Sequence, residues 1–329
     1  MLYDNHHRPI TYVRLAVTDR CNLRCFYCMP EEGISYLPKN QLLTYEEMLR
    51  LVTLLARMGI TKVRITGGEP FVRRDLMPFL ERIAKITGIQ TLTLTTNGVL
   101  TAPYVPQLAQ IGIHSVNLSI DSLDRQRFAC ITRRDELPRV MQTLYSLLQH
   151  NIPTKLNVVV MEGKNTDDIV PMAAFTREHP VEVRFIEEMP FNGTGALAPT
   201  LTWNYRKILA TLQAAYPDIE KMPDEPFSTA VNYRIPGFKG SIGIIAAFSR
   251  TFCGTCNRIR ITAKGMLKTC LYDQGVLNIR DLLRACPHDD APVERALRQA
   301  FGQRPKDGFE AERHRNTSAT TESMSTIGG

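Results

Sequence analysis

Six of the eight cysteines fall into two groups of three. Cys21, Cys25 and Cys28 lie in the run DRCNLRCFYCMPEEG with the spacing C-x3-C-x2-C. Cys253, Cys256 and Cys270 lie in FCGTCNRIRITAKGMLKTC with the spacing C-x2-C-x13-C. Clustered thiols at these spacings suit metal ligation, yet a closed zinc site uses four ligands and a ferredoxin-type run carries four cysteines. Two chemistries fit three thiolates. Each group could gather a fourth ligand from elsewhere, such as Cys286 or His288 for the second, and hold a structural zinc. Alternatively, each could hold three irons of a cubane [4Fe–4S] cluster, leaving the fourth iron open to a small molecule. Cys130 and Cys286 stand apart from both groups and are expected to be small buried hydrophobes.

Three other stretches carry candidate chemistry. Within the second group lies NRIRIT, and on a strand Arg258 and Arg260 project to the same face. Two guanidiniums beside an open metal position suit an anionic ligand; the plainer reading is an exposed edge strand. In TGGEP (66–70), Gly67 and Gly68 let the backbone approach a ligand closely, or simply make a tight turn. In LSIDS, Ser119 and Asp121 could hydrogen-bond a ribose, or Asp121 could cap a helix.

The elements that position these residues follow a βα rhythm. Strands are expected at 12–17, 62–66, 91–95, 115–120, 155–161 and 181–187. Helices are expected after Thr44 and at 76–86, 103–111, 124–150 (a pair), 167–177 and 203–215. Tyr45, Met48, Leu49, Val52 and Leu55 have helical spacing, Thr44 with Glu47 makes a capping box, and Gly59 is a stop. Six such units imply parallel strands with right-handed crossovers, in a doubly wound sheet or an incomplete (β/α)8 barrel. In both folds chemistry sits where strands end, and the first cysteine group follows the first strand. The rhythm breaks near Pro190. Residues 1–190 are therefore read as the barrel core, 191–302 as a smaller β-containing portion carrying the second cysteine group, and 303–329 as a polar, flexible tail.

The chain has 329 residues and a formal charge of +7. That balance suggests an anionic partner or a solvated basic surface. With one tryptophan and no dense basic stripe, a nucleic-acid protein is not expected. No apolar run reaches the ~18 residues of a membrane helix, and MLYDNHHRPI has no secretory h-region. A reducing cytosol is the expected location, and no membrane partner is expected.

The C-x3-C-x2-C run with Tyr27 before its last cysteine resembles the radical S-adenosylmethionine (SAM) superfamily, whose fold is a partial (β/α)6 barrel. TGGEP after the second strand resembles that family's motif for the SAM amino group. The match extends through RLAVTDRCNLRCFYCMP, TTNG, LSIDSLD, KLNVVVMEG and FCGTCNRIRIT to the terminal Gly328 and Gly329. Over nearly the full chain it resembles the GTP 3′,8-cyclase family that begins molybdenum cofactor biosynthesis.

The resemblance implies two [4Fe–4S] clusters and SAM as cofactors. Cys21, Cys25 and Cys28 would hold the radical-generating cluster, with Tyr27, Gly68, Ser119 and Met189 contacting SAM. Cys253, Cys256 and Cys270 would hold the cluster that binds guanine. Arg14, Arg64, Thr95, Lys155, Arg258, Ile259 and Arg260 would contact GTP. Arg14, Gly328 and Gly329 would also take part in catalysis, the di-glycine end reaching into the barrel. The implied reaction removes hydrogen from ribose C3′ and joins C3′ to guanine C8. Expected partners are GTP, a reducing electron donor, the downstream cyclic pyranopterin monophosphate synthase and, as one allowed assembly, a second copy in a homodimer. A radical SAM peptide-modifying enzyme with an auxiliary cluster is the rival reading. Cys130, Cys286 and His288 fall outside the motifs and are treated as incidental.

Overall fold

The computed structural model describes residues 2–191, 201–315 and 322–328. Strands and helices alternate through the first half: β1 (Tyr12–Ala16), α1 (Tyr45–Met58), β2 (Lys62–Thr66), α2 (Leu76–Ala84), β3 (Thr91–Thr96), α3 (Val105–Ile111) and β4 (Ser115–Ser119). A helix pair follows, α4 (Arg125–Thr132) and α5 (Leu137–Gln149), and then β5 (Thr154–Val160), α6 (Ile169–Phe175), β6 (Glu182–Glu187) and α7 (Tyr205–Ala215). The C-terminal portion adds β7 (Glu220–Lys221), β8 (Val231–Arg234), β9 (Ser241–Ile245), β10 (Arg258–Ile261), β11 (Met266–Lys268) and β12 (Leu277–Asn278). It ends in α8 (Ile279–Ala285), α9 (Ala291–Phe301), α10 (Gly308–Arg313) and α11 (Met324–Ile327).

Local signals set the helix ends. The Thr44 hydroxyl accepts from Glu47 N at 3.1 Å, the Glu47 carboxylate accepts from Thr44 N at 2.8 Å, and Gly59 closes α1 at φ 111°. This reciprocal cap satisfies two backbone donors that the first turn would otherwise leave unpaired.

All strands join one open sheet in the order β12-β11-β10-β1-β2-β3-β4-β5-β6-β9-β8-β7. Strands β1 to β6 are parallel neighbours, as the rhythm requires, and they form the partial (β/α)6 barrel that the resemblance implies. The C-terminal portion flanks this core on both sides, with β10 parallel to β1 and β9 parallel to β6. Arg258 and Arg260 therefore lie on an interior strand, not on an edge.

The strand residues alternate because the two faces meet different surroundings. In β5, Leu156, Val158 and Val160 are buried in the helix-facing core, while Lys155, Asn157 and Val159 line a cavity. The same division puts Val63 and Ile65 in the core and Lys62 and Arg64 in the cavity wall. A parallel sheet covered on both faces would read as continuous apolar runs; here one face is reserved for polar residues.

Two pieces of the stretch expected to be a flexible tail are packed. Helix α10 buries Ala311, and Ile327 of α11 is 1% exposed in a cluster with Phe191 and Tyr272. Met324 N donates to Phe191 O at 3.0 Å, and Lys268 Nζ pairs with Glu322 at 2.6 Å. Apolar residues at the end of a polar stretch are what seat it. Cys130 also departs from expectation: it is exposed, because α4 turns Phe128 and Ile131 inward instead.

Candidate active site

Both cysteine groups open onto one cavity of about 670 Å³. The first group sits in the loop after β1. Cys28 N donates to Cys25 O at 2.9 Å, which curls the loop, and Asn97 Nδ2 donates to Cys21 Sγ at 3.6 Å. The TGGEP turn runs alongside: Gly68 N donates to Thr18 O and Glu69 N to Arg20 O, each at 2.8 Å. A Cβ on Gly68 would stand 2.2 Å from Arg20 O. The close approach that this glycine permits is thus to the backbone of the cysteine loop, and Gly68 also borders the cavity.

Burial dominates the titration of this region. It pushes Cys21 up to about 12 and Cys25 well above its usual range. Burial also raises Glu69 to about 7, although its carboxylate accepts from Asn97 N, Thr96 Oγ1 and Phe71 N. Glu69 thereby ties the second strand's turn to the TTNG turn. Asp121, raised by burial to about 6, accepts from Tyr27 Oη at 2.8 Å and Val159 N at 2.9 Å. Asp121 is not a helix cap; Asp124 caps α4, accepting from Arg127 N at 2.7 Å.

The second group occupies the turn before β10 and the end of β11. Burial would raise the Cys256 thiol, but the Arg258 and Arg304 guanidiniums beside it bring it down to about 6. Arg258 Nη2 lies 3.3 Å and Arg304 Nη2 3.1 Å from Cys256 Sγ. Burial lifts the Cys270 thiol to about 12.

Between the two groups the cavity wall is cationic. Because β10, β1 and β2 are parallel and in register, Arg260 faces Arg14 and Arg14 faces Arg64. Like charges directly opposite one another destabilise a sheet, so this row costs stability in the unliganded chain. Burial first, then Arg260 and Arg64, pushes Arg14 well below its usual value. Tyr12 records the same field: burial would raise it, yet Arg64, Arg14, Lys62 and Arg258 hold its phenol low. Across the cavity, Lys155 is paired with Glu182 at 2.7 Å.

The wall also presents polar atoms that find no partner among the described residues. Thr95 Oγ1, Asn117 Oδ1 and Asn157 Oδ1 are buried and make no hydrogen bond to any described residue, and their residues line the cavity. Buried polar atoms are rarely left this way unless a ligand or water meets them.

The structure brings Arg14, Tyr27, Arg64, Gly68, Thr95, Ser119, Lys155, Met189, Arg258, Arg260 and all six grouped cysteines to this cavity. Ile259 differs: its side chain is fully buried on the opposite, helix-facing side, as strand alternation requires. Gly328 O accepts from Arg260 Nη1 at 2.7 Å, and Gly329 lies outside the described residues. Sequence reasoning missed Asp4, Arg8 and Arg304, which grip the second cysteine group from both chain ends. It also missed Glu187, fully buried, whose carboxylate collects Phe248 N, Ser249 N and Tyr205 N. No local periodicity marks such isolated charges.

The zinc alternative for the second group calls on Cys286 or His288 as a fourth ligand. Among the described residues, no three His, Cys, Asp or Glu side chains converge as a single metal ion requires. Neither Cys286 nor His288 lines the cavity. Each group supplies three free thiols at the cavity wall.

A partial (β/α)6 barrel with a C-x3-C-x2-C loop after its first strand defines a radical SAM protein. Residues 15–176 match the Radical SAM superfamily and residues 181–310 match the family described as Molybdenum Cofactor Synthesis C. The chain belongs to the GTP 3′,8-cyclase family of molybdenum cofactor biosynthesis. It is 40% identical to the GTP 3′,8-cyclase of Geobacter sulfurreducens, with 100% of this chain and 99% of the relative covered. It is 43% identical to mouse molybdenum cofactor biosynthesis protein 1, covering 92% of this chain and 48% of the relative. The chain thus spans about half the length of the animal relatives it matches. The fold is shared with Streptococcus suis SuiB bound to S-adenosylmethionine, at a TM-score of 0.61, 15% identity, and coverage of 86% of this chain and 66% of that one. No helix among the described residues is long and apolar enough to cross a membrane.

Proposed function

We propose that this chain converts GTP to (8S)-3′,8-cyclo-7,8-dihydroguanosine 5′-triphosphate, with SAM and two [4Fe–4S] clusters as cofactors. The observation that carries this reading is the in-register row Arg260–Arg14–Arg64 set between two three-cysteine groups on one cavity. A metal cation would lower the raised thiol pKa values of Cys21 and Cys25 and hold them as thiolates. When bound, the cluster on Cys21, Cys25 and Cys28 would supply the electron that cleaves SAM, whose adenosyl group then takes the hydrogen from C3′ of GTP.

The chain's own residues do the rest. Arg14, Arg64, Arg258 and Arg260 neutralise the triphosphate, with Lys155 at the far wall, and so fix the ribose relative to the first cysteine group. Thr95, Asn117 and Asn157 offer unmet hydrogen-bonding atoms to sugar or base edges. Ser119, Tyr27, Gly68 and Met189 shape the SAM side, and Asp121 fixes the Tyr27 ring through its hydroxyl. Cys253, Cys256 and Cys270 would hold the second cluster, which would supply a binding position for guanine. Gly328 sits against the cationic row, its carbonyl accepting from Arg260, and helps to exclude water from it. Metal-ligating thiols suit a reducing cytosol. A reductant must deliver electrons, and the product would pass to cyclic pyranopterin monophosphate synthase; a homodimer is an open assembly.

The test is anaerobic reconstitution followed by incubation with GTP, SAM and dithionite. A cyclised nucleotide of unchanged mass, with methionine and 5′-deoxyadenosine, is the expected outcome. SAM cleavage that GTP does not stimulate would overturn the reading and favour a peptide substrate.

A further inference from the structure

Arg304 uses nearly every donor it has on the second cysteine group. Nη2 donates to Cys256 Sγ at 3.1 Å and to Arg258 O at 2.8 Å. Nη1 donates to Cys256 O at 2.9 Å, and Nε donates to Thr269 O at 2.9 Å, the residue before Cys270. Its side chain is 2% exposed, and the fully buried Asp4 carboxylate steadies it at 3.2 Å. The same Asp4 oxygen binds Arg8 Nε at 2.7 Å, and Arg8 Nη1 reaches Cys253 O at 3.1 Å. One carboxylate at the start of the chain thus organises two arginines that between them hold the backbone around all three cysteines.

We propose that Arg304 is a positioning residue that fixes the Cys253–Cys256–Cys270 frame and, through its bond to Cys256 Sγ, raises the reduction potential of the cluster held there. This rests on the two-cluster reading above. The physical argument has two parts. Burying an ion pair gives little net stability, so Asp4 with two arginines is poor value as a mere clamp. Backbone carbonyls alone would satisfy a structural arginine, yet Nη2 is also aimed at the sulfur. A ligating thiolate keeps lone pairs that accept such a bond, and the bond stabilises the more electron-rich, reduced cluster. Only a planar guanidinium reaches one sulfur and three carbonyls together; a lysine could keep one or two of these contacts.

The experiment uses the full chain, reconstituted anaerobically, as wild type, Arg304→Gln, Arg304→Lys and Asp4→Asn. Iron and sulfide are counted, and each cluster is titrated electrochemically and followed by electron paramagnetic resonance. In Arg304→Gln the second cluster's midpoint falls and its spectrum shifts while the first cluster's stay fixed; Arg304→Lys falls between. Asp4→Asn, which loosens Arg304 without removing it, gives a smaller shift of the same sign, and it decides the matter if Arg304→Gln does not fold. An unchanged midpoint and spectrum for the second cluster in the folded variants would overturn the proposal. Wild type holding about four irons instead of about eight would overturn the two-cluster reading itself, and this inference with it.

Discussion

Arg260 Nη1 donates a 2.7 Å hydrogen bond to the carbonyl of Gly328, joining the cationic wall to the C-terminal end of the chain. The same short segment touches the other half of the site, where Ser323 Oγ donates to Cys28 O at 2.7 Å. Residues 322–328 therefore contact the first cysteine loop and the arginine strand of the second. The end of the chain is part of the cavity's construction.

Gly328 stands at φ 79°, and a Cβ there would meet Ala16 Cβ and Thr66 Cγ2, each at 3.2 Å. Gly328→Val forces a β-branched residue into a left-handed conformation, costing about 1–3 kcal/mol locally. We expect turnover to fall by roughly tenfold or more while iron at both groups is retained. Appending residues after Gly329 should act the same way. Full turnover with either change would show that the segment's docking is dispensable.

Gly68→Ala places a methyl group against the backbone of Arg20, which cannot swing aside as a side chain could. The cysteine loop must move. Iron bound by Cys21, Cys25 and Cys28 should drop, and not merely SAM affinity. An alanine variant with full iron and weakened SAM binding alone would assign Gly68 to the ligand instead.

Arg14 is flanked in register by Arg260 and Arg64, so its charge is repelled from both sides. Arg14→Gln should leave the Tm of the unliganded chain equal or higher, since a like-charge contact is relieved. GTP binding should weaken on the order of tenfold or more, the worth of a charge-assisted hydrogen bond. A lower Tm with unchanged GTP binding would give Arg14 a structural role only.

Asp121 is raised by burial to about 6, from 3.8 in its unfolded state. The folded form therefore retains a proton that the unfolded chain releases. Its contribution to stability is greatest below pH ~3.8 and is lost as pH rises towards ~6, with a slope of at most about 1.4 kcal/mol per pH unit. Asp121→Asn keeps partners for both Val159 N and the Tyr27 hydroxyl but cannot ionise. The difference in stability between variant and wild type should grow in the variant's favour across that window and be flat above it. A constant difference from pH 4 to 7 would mean that Asp121 is ionised in the folded chain throughout.

Much of the site was legible locally. KVRIT, TLTLT and KLNVVV were legible as strands, and in the fold their alternate residues line the cavity wall. The same alternation explains Ile259: an odd-even strand cannot send three successive side chains to one ligand. The burial of Ile327 was harder to anticipate, because a few apolar residues after a polar run carry no periodicity to read.

The sequence by itself determined the two cysteine groups, the six βα units, the capping of α1 and the projection of Arg258 with Arg260. These depend on spacing within a few residues, where backbone geometry fixes direction. The tertiary structure alone decided that β10 lies parallel beside β1. That pairing closes the chain on itself, sets Arg260, Arg14 and Arg64 in one row, and brings the second cysteine group to the cavity of the first. It also put Arg8 on Cys253, 245 residues away in sequence, and Arg304 on Cys256. Contacts at such separation form only when the whole sheet assembles around a common core, so no local pattern of residues encodes them.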